Sequence, residues 1–360
     1  MADEREYSVS DAITGDAITF DKWTGEARVR KGAAAAGLGE CKSLFFPGCS
    51  FINYAMPLVE ASYNTLREAG EVDGFSPLCC GKILSYEPNG ETLRAAFEED
   101  FRDHLARTNI TRIVAACPNC VKALRDLLAA DERTASVEVV PLPAVFAKLG
   151  YKVDERTVAQ LLKGDENADV LLCPHDSCPD RETGEFADAT RALLEPDMYQ
   201  DPEHCRNRSI CCGSLPRAAG NFEAADKCAM RNLEEAQAVT ADAMLTACVS
   251  CAFQLNMVQQ QMPAVHILEL LYNWRIDWNV VGGWMKMRFL FDDMLGVTEE
   301  VDEASGDIVL ESGRTFAGLS GAPTIADEAV VASGLADDSC EAVAAHESSI
   351  SNDDTEIVGE

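Results

Sequence analysis

"SPLCCGKIL", residues 76–84, sets two cysteines side by side ahead of a glycine and a lysine, and "SICCGSL", residues 209–215, does so again. Adjacent cysteines send their short side chains in different directions, and a disulfide between them is strained. Working outward from the two pairs exposes a larger pattern. The first set is Cys49, then Cys79-Cys80-Gly81, then Cys117-Pro-Asn-Cys120; the second is Cys178, then Cys211-Cys212-Gly213, then Cys248-Val-Ser-Cys251. Corresponding members are offset by 129, 132 and 131 residues, and Cys80 to Cys117 spans 37 positions where Cys212 to Cys248 spans 36. Five cysteines in one order at nearly one spacing mark an internal duplication.

The flanking sequence repeats as well. "SLFFPGCS" (43–50) and "DVLLCPHDSC" (169–178) read as short buried strands ending at a cysteine loop. "PLVEASYNTLREAG" (57–70) places Leu58, Tyr63 and Leu66 near helical spacing, with Gly70 as a stop. "TRIVAACPNC" and "ADAMLTACVSC" are apolar runs, each leading into a helical segment. Strands alternating with helices predict an α/β fold of two tandem related domains, each a small, mainly parallel sheet with flanking helices. Such sheets bind ligands at the carboxyl ends of their strands, where these cysteines fall.

The expected organisation is an extension over 1–40, a first cysteine-rich domain over 41–160, a second over 161–295 and an acidic tail over 296–360. The boundary is read in the polar stretch "KVDERTVAQLLKGDENA" (152–168). The extension holds one strand-like piece, "AITFDKW", followed by a flexible Gly/Ala run. The tail carries sixteen Asp and Glu against one basic residue, Arg314, and one aromatic, Phe316, a composition that predicts disorder.

Thirty basic residues against 61 acidic give a formal charge of −31, which argues against nucleic acid or an anionic bilayer as partner. No run of about 18 apolar residues is present, so no transmembrane segment is expected. "VVGGWMKMRFLF" (280–291) is too short to span and reads as a buried or partner-facing helix or, second, an interfacial anchor. The first forty residues lack a basic start followed by an apolar core, which points to the cytoplasm. Fifteen cysteines in a reducing compartment then indicate metal or redox chemistry.

A Cys-x-x-Cys pair where a strand turns into a helix lets two thiolates reach one metal unit, with the helix N–H groups favouring an anionic cluster. Zinc takes four ligands, and so does an ordinary cubane cluster. Each repeat here offers five, at the same places in both. The order Cys, about thirty residues, Cys-Cys-Gly, about thirty-six, Cys-x-x-Cys resembles the cysteine-rich CCG domain. Two such domains in tandem, over roughly residues 41–273, resemble the tandem-CCG subunit of heterodisulfide reductase.

That resemblance implies a noncubane [4Fe-4S] cluster in each domain. Cys49, Cys79, Cys80, Cys117 and Cys120 would ligate one; Cys178, Cys211, Cys212, Cys248 and Cys251 would ligate the other. One cysteine of each adjacent pair would bridge two irons, and zinc is the alternative occupant of one site. The implied activity is reversible reduction of a small disulfide held between the clusters and split homolytically, one sulfur going to an iron of each. Electrons would come from a ferredoxin-like iron–sulfur partner subunit, with or without a flavoprotein. The chain has no Cys-x-x-Cys-x-x-Cys-x-x-x-Cys-Pro run of its own. Similar CCG chains also serve as electron-transfer subunits of lactate, glycolate or glycerol-3-phosphate dehydrogenase complexes, binding clusters and no organic substrate. A structural protein with zinc in both sites is the third reading.

Other residues near the cysteines carry two readings each. His175 in "PHDSC" could donate a proton to a product thiolate, hydrogen-bond a cluster sulfide, or order its loop. Lys82 and Arg217 follow the two CCG turns, where a cation could offset cluster charge or meet an anionic substrate, or lie solvated at the surface. Asp176 reads as a cap for loop N–H groups. His266 in "VHILELL" reads as core, and Cys173 as a buried strand thiol beside the better-placed Cys178. Cys41, Cys205, Cys228 and Cys340 lie outside the repeat. No dinucleotide, phosphate-loop or nucleophile-elbow motif is present.

Overall fold

The computed structural model describes residues 6–21, 27–86, 89–276, 278, 300–301 and 308–310. Strands β1 (Glu6–Ser10), β2 (Ala17–Asp21) and β3 (Ala27–Arg30) form an antiparallel meander. The first α/β unit follows as β4 (Ser43–Phe46), α1 (Cys49–Glu68), β5 (Gly74–Phe75), α2 (Gly90–Leu105), β6 (Arg112–Ala115), α3 (Pro118–Ala129), β7 (Glu138–Pro141) and α4 (Leu142–Lys148). Helix α5 (Glu155–Lys163) leads to the second unit. That unit runs β8 (Leu172–Pro174), α6 (Glu185–Ala192), α7 (Ser214–Ala218), α8 (Phe222–Ala238), β9 (Ala243–Thr246), α9 (Val249–Val258), β10 (Ala264–His266) and α10 (Ile267–Leu271). Two short strands, β11 (Glu300–Val301) and β12 (Ile308–Leu310), return to the meander and give the order β1-β2-β3-β12-β11.

Both α/β units are parallel sheets, ordered β5-β4-β6-β7 and β10-β9-β8. An isolated parallel bridge from Leu172 to Tyr199 stands beside β8 where β5 stands beside β4. The register shows the duplication residue by residue. Phe45 pairs with Val114 in the first sheet, and Pro174 pairs with Leu245 in the second, at the offsets of the cysteine sets. Helices cover the faces, so the central strands are near-continuous apolar runs. Leu44, Phe45, Phe46, Ile113, Val114 and Ala115 are all fully buried. In α2, Phe97, Phe101 and Leu105 recur every four residues, form its buried stripe and bring Phe101 edge-on to Phe46.

The helix expected after the first strand is present and longer than its apolar pattern. It starts at Cys49, bends at Ala55 ahead of Pro57 and stops before Gly70, whose φ is +70°. The polar stretch between the two units contains a helix, α5, that its composition does not announce. Asp154 accepts a hydrogen bond from the Thr157 N–H, Gly164 terminates the helix in the left-handed region, and Val158 and Ala159 are buried. Its charged residues occupy one face, which masked a narrow apolar stripe.

The two units meet through aromatic packing. Tyr54 of α1 stacks on Phe253 of α9 at 4.8 Å, and Phe51 meets the His266 ring edge-on at 4.9 Å. Tyr272 Oη donates to Thr65 Oγ1 at 2.9 Å, and Arg125 of α3 makes a paired contact to Glu185 of α6, both at 2.8 Å. Each aromatic pair contributes about 0.5–1.5 kcal/mol beyond its buried area. One apolar core consequently runs from Ile13 to Ile276 through both units.

The terminal segments differ from expectation in part. Three strands occupy the region where one was read, and five residues of the tail complete their sheet. The predicted disorder of the remaining tail and the 280–291 stretch lie outside the described residues. Among the described residues, no helix is long and apolar enough to cross a membrane.

Candidate metal centre

The cysteines of the repeated pattern lie beyond the carboxyl ends of the strands, in the loops and first helical turns that follow. Cys117 is the N-cap of α3 and Cys120 its third residue; Cys248 and Cys251 hold the same positions on α9. The backbone N–H groups of Asn119 and Cys120, free at the helix start, help to lower the pKa of Cys117. In the second CCG turn, Gly213 N–H donates to Cys211 Sγ at 3.3 Å and Ser214 N–H to Cys212 Sγ at 3.4 Å. The Lys82 N–H serves Cys80 in the first. Sulfur carrying negative charge is favoured at all these places.

The sulfurs form one continuous path. Cys79 donates to Cys49 across 3.6 Å and also contacts Cys80; Cys80 contacts Cys120, and Cys120 contacts Cys117. In the second set Cys211 contacts Cys178 and Cys212, Cys212 contacts Cys251, and Cys251 contacts Cys248. The halves join where Cys117 and Cys248, two cysteines that correspond in the repeat, neighbour each other. The path therefore has the same order from either end. Beside the junction, the Ser50 and Ser250 hydroxyls lie 2.8 Å apart.

Crowding sets the protonation pattern. Hydrogen bonds from Cys178 and Cys212 hold Cys211 down to about 3, and those from Cys120 and Cys248 lower Cys117. Their neighbours move the other way: Cys248, facing Cys117, is pushed up to about 12, while Cys79, Cys120, Cys212 and Cys251 are also raised. Along the first set the shifts alternate, Cys79 and Cys120 raised and Cys80 and Cys117 lowered, whereas in the second Cys248, Cys251 and Cys212 are raised in succession and Cys211 is lowered; buried sulfurs this close cannot all ionise together. Full ionisation of such a donor set calls for multivalent cations.

The residues present fit iron–sulfur units by donor chemistry. Gly48 has φ +83°, and a Cβ there would lie 2.8 Å from Cys120 Sγ, so only glycine lets the chain pass this close to that sulfur. Each set strings five sulfurs along one path, one donor more than zinc or a cubane cluster takes. A surface cleft of about 440 Å³ between Arg125 and Glu185 is lined by none of these cysteines.

The other predicted site residues separate in the structure. His175 is buried next to the second set: its ring, Cys212 Sγ and Cys251 Sγ lie within 4.8 Å of one another. Burial lowers its pKa and keeps the imidazole neutral. Its Nδ1 meets Asn232 Oδ1 at 2.7 Å, whereas its buried Nε2 has no hydrogen-bond partner. Arg217 is engaged by Gln254 Oε1 at 2.8 Å, by Asp226 and by the Phe222 ring. Lys82 opens a short 3-10 turn and makes no ion pair among the described residues.

Asp176 caps more than its loop. It accepts from Arg206 N–H at 2.7 Å and binds buried Arg191 through both oxygens at 2.8 and 2.9 Å. His266 caps α10, accepting from Leu268 N–H while Glu269 reaches back to its own N–H, so its place in the core is structural. Cys173 lies inside β8 and is 3% exposed. Cys228 packs against Cys211 and Cys178 under the second set. Asn232, one turn after Cys228 on α8, was not legible as a site residue; only its reach across the fold to His175 reveals it.

The fold and the site define an α/β protein with two tandem cysteine-rich domains whose sulfurs converge at their shared interface. Residues 43–125 and 173–256 each match the family described as CCG, cysteine-rich domain. The chain thus carries two tandem CCG domains, a family that supports an iron–sulfur electron-transfer role. No curated protein matches at a significant level. Among solved structures, similarity is found to glutamate racemase isoform RacE1 from Bacillus anthracis, with 11% identity, 64% of this chain, 77% of that one and a TM-score of 0.29. It is also found to Picrophilus torridus aspartate racemase, with 12% identity, 64% and 90% coverage and a TM-score of 0.31. A putative Asp/Glu racemase from Yersinia pestis gives 14% identity, 64% and 96% coverage and a TM-score of 0.28. Likeness at that level carries no argument about this chain.

Proposed function

We propose that the chain is an iron–sulfur oxidoreductase component resembling the tandem-CCG subunit of heterodisulfide reductase, reducing a small disulfide reversibly with electrons from an iron–sulfur partner. The supporting observation is the contact of Cys117 with Cys248, which brings two equivalent five-cysteine sets face to face. Two adjoining redox sites match the two sulfurs of a disulfide, each of which needs one electron.

Cys49, Cys79, Cys80, Cys117 and Cys120 would hold one noncubane [4Fe-4S] unit, and Cys178, Cys211, Cys212, Cys248 and Cys251 the other. When bound, such units supply electrons singly. The chain's own residues position that chemistry. Helix starts at Cys117 and Cys248 direct N–H groups at the sulfurs, and the interlocked aromatic rings fix the two domains against each other. Cys49, Cys117 and Cys178 are only half-buried, which leaves an approach for a small thiol or disulfide. Lys82, without an ion-pair partner among the described residues, is the available cation for an anionic substrate near the first set.

Anaerobic purification tests the metal assignment. Two such units require about eight irons and about eight sulfides per chain. A colourless protein with two zincs would end both redox readings. Titrating the oxidised protein with cellular thiols tests the substrate assignment: a changed paramagnetic signal supports a disulfide site. No response across the panel leaves an electron relay beside a dehydrogenase as the better reading.

A further inference from the structure

The two sites share their cysteines and differ in one donor. At the offset of the leading cysteines, His175 corresponds to Phe46, and the sheet register places both at the end of the same strand: Phe46 O accepts from Ala116 N–H, while His175 N–H donates to Leu245 O. The first set thus ends its strand on a benzyl ring and the second on an imidazole.

Asn232 decides which imidazole nitrogen is available. Its Nδ2 donates to the backbone carbonyls of Cys211 at 3.0 Å and Cys228 at 2.8 Å. Two carbonyls accept only from an amide NH2, so the side-chain orientation is fixed and Oδ1 faces His175 Nδ1 at 2.7 Å. Oδ1 is an acceptor, and Nδ1 must carry the proton. In the neutral ring Nε2 then presents a lone pair. That atom is buried and lacks a hydrogen-bond partner, on a ring that has a nitrogen within 4.8 Å of Cys212 and Cys251 Sγ. A bare lone pair cannot donate to a thiolate or sulfide, but it can bind a metal ion. An outer partner that fixes the tautomer is the usual support for a ligating histidine.

We propose that His175, through Nε2, is a direct metal ligand of the second site alongside its five cysteines, whereas the first site is bound by thiolates alone. The inference rests on the reading that the second site holds an iron–sulfur unit. The two sites of this chain are accordingly unequal in their donors: the second has a neutral imidazole in addition to the thiolates that both share, and putting a thiolate in its place lowers the reduction potential of an iron site.

The test uses the full chain, purified anaerobically with 15N-labelled histidine, reduced, and measured by pulsed electron paramagnetic resonance. The expected result is a directly bound nitrogen coupling that changes with the isotope and is lost in His175→Ala. His175→Cys should retain the iron content, lack that coupling and lower the midpoint potential of the second site. A wild-type chain with iron and sulfide in both sites but no directly bound nitrogen overturns the proposal and leaves the iron–sulfur reading standing. So does a coupling that persists in His175→Ala, which would belong to another histidine. Wild-type protein without iron or sulfide overturns both. The first measurement needs no substitution, so loss of folding in a variant does not obscure it.

Discussion

The two cysteine sites are alike in their sulfurs and unlike in what stands behind them. In the first domain, Cys49 is the opening residue of a twenty-residue helix, and the strand before it ends in the buried ring of Phe46. In the second, the corresponding strand leads into a polar loop in which His175, Asp176 and Ser177 are all buried, and Cys178 begins only a short 3-10 turn. Apolar packing positions the first set; a hydrogen-bonded network positions the second. A duplicated metal site can therefore keep its ligand geometry while its surroundings change, and those surroundings are where functional difference between the halves resides.

The sharpest way to break the comparison is to remove one sulfur of the adjacent pair from each half. Cys80→Ser and Cys212→Ser should each lower iron and sulfide by about half, since each would empty one four-iron unit. Metal analysis of anaerobic preparations reads this directly. Loss of all iron from either single variant would show that the contact of Cys117 with Cys248 makes the sites one cooperative unit.

The next effect belongs to the network of the second site. Asp176 and Arg191 are 5% and 4% exposed, and the first domain has Pro47 at the place of Asp176. Arg191→Met leaves the Asp176 carboxylate buried without its partner, at a cost of about 3–5 kcal/mol. Denaturant unfolding of the metal-free chain measures it. A change below about 1 kcal/mol, the scale of an exposed pair, would mean that the network is solvated and not a support for the His175 loop.

A pH dependence distinguishes the first domain, because only that domain carries the appended antiparallel sheet at its β5 edge, through Ala12 N–H donating to Phe75 O at 2.9 Å. Asp11, beside this junction, is 1% exposed, and burial raises its pKa from 3.8 to about 6 despite hydrogen bonds from Ile13 N–H and Thr14 Oγ1. The protonated carboxyl is favoured in the folded state. Its contribution is present in full below pH 3.8 and declines as the folded protein gives up the proton near pH 6. Stability should fall by about 3 kcal/mol over that window, from about 1.4 kcal/mol per pKa unit. Asp11→Asn should flatten this part of the profile; an unchanged slope would place the titration elsewhere.

Much of this was legible in the sequence, for identifiable reasons. Parallel sheets buried on both faces write themselves as apolar runs such as "SLFF" and "RIVA", and ligands at strand ends recur at fixed offsets after duplication. Cysteine is conspicuous enough for that offset to be read directly. The convergence of the two sets at a shared interface is not local, because it depends on how α1 meets α9 and α10, and no spacing encodes it. Asn232 was invisible for a related reason. Its partner His175 is 57 residues away, and an asparagine inside a helix has no signature of its own. Helix α5 was missed because it lies inside a longer polar stretch and only Val158 and Ala159 are fully buried.

The smallest effect compares the glycines of the two CCG turns. Gly81 has φ +77° and Gly213 φ +94°, so alanine is strained at both positions by backbone conformation alone. What the new methyl would meet differs. At Gly81 it would lie 2.3 Å from the Phe97 ring, and at Gly213 2.2 Å from the carbonyl oxygen of Ala225. A ring can tilt, although Phe97 is fully buried and packs on Phe101. A carbonyl inside α8 moves only with its helix, and α8 carries both Cys228 and Asn232. Each substitution should cost about 1–3 kcal/mol, as overpacking in a close-packed interior does, with Gly213→Ala the worse by about 1 kcal/mol. Unfolding midpoints of the two variants in the metal-free chain measure the difference. A reversed order would show that the aromatic packing of the first domain is the stiffer support, and that the hydrogen-bonded second site yields more readily than its burial implies.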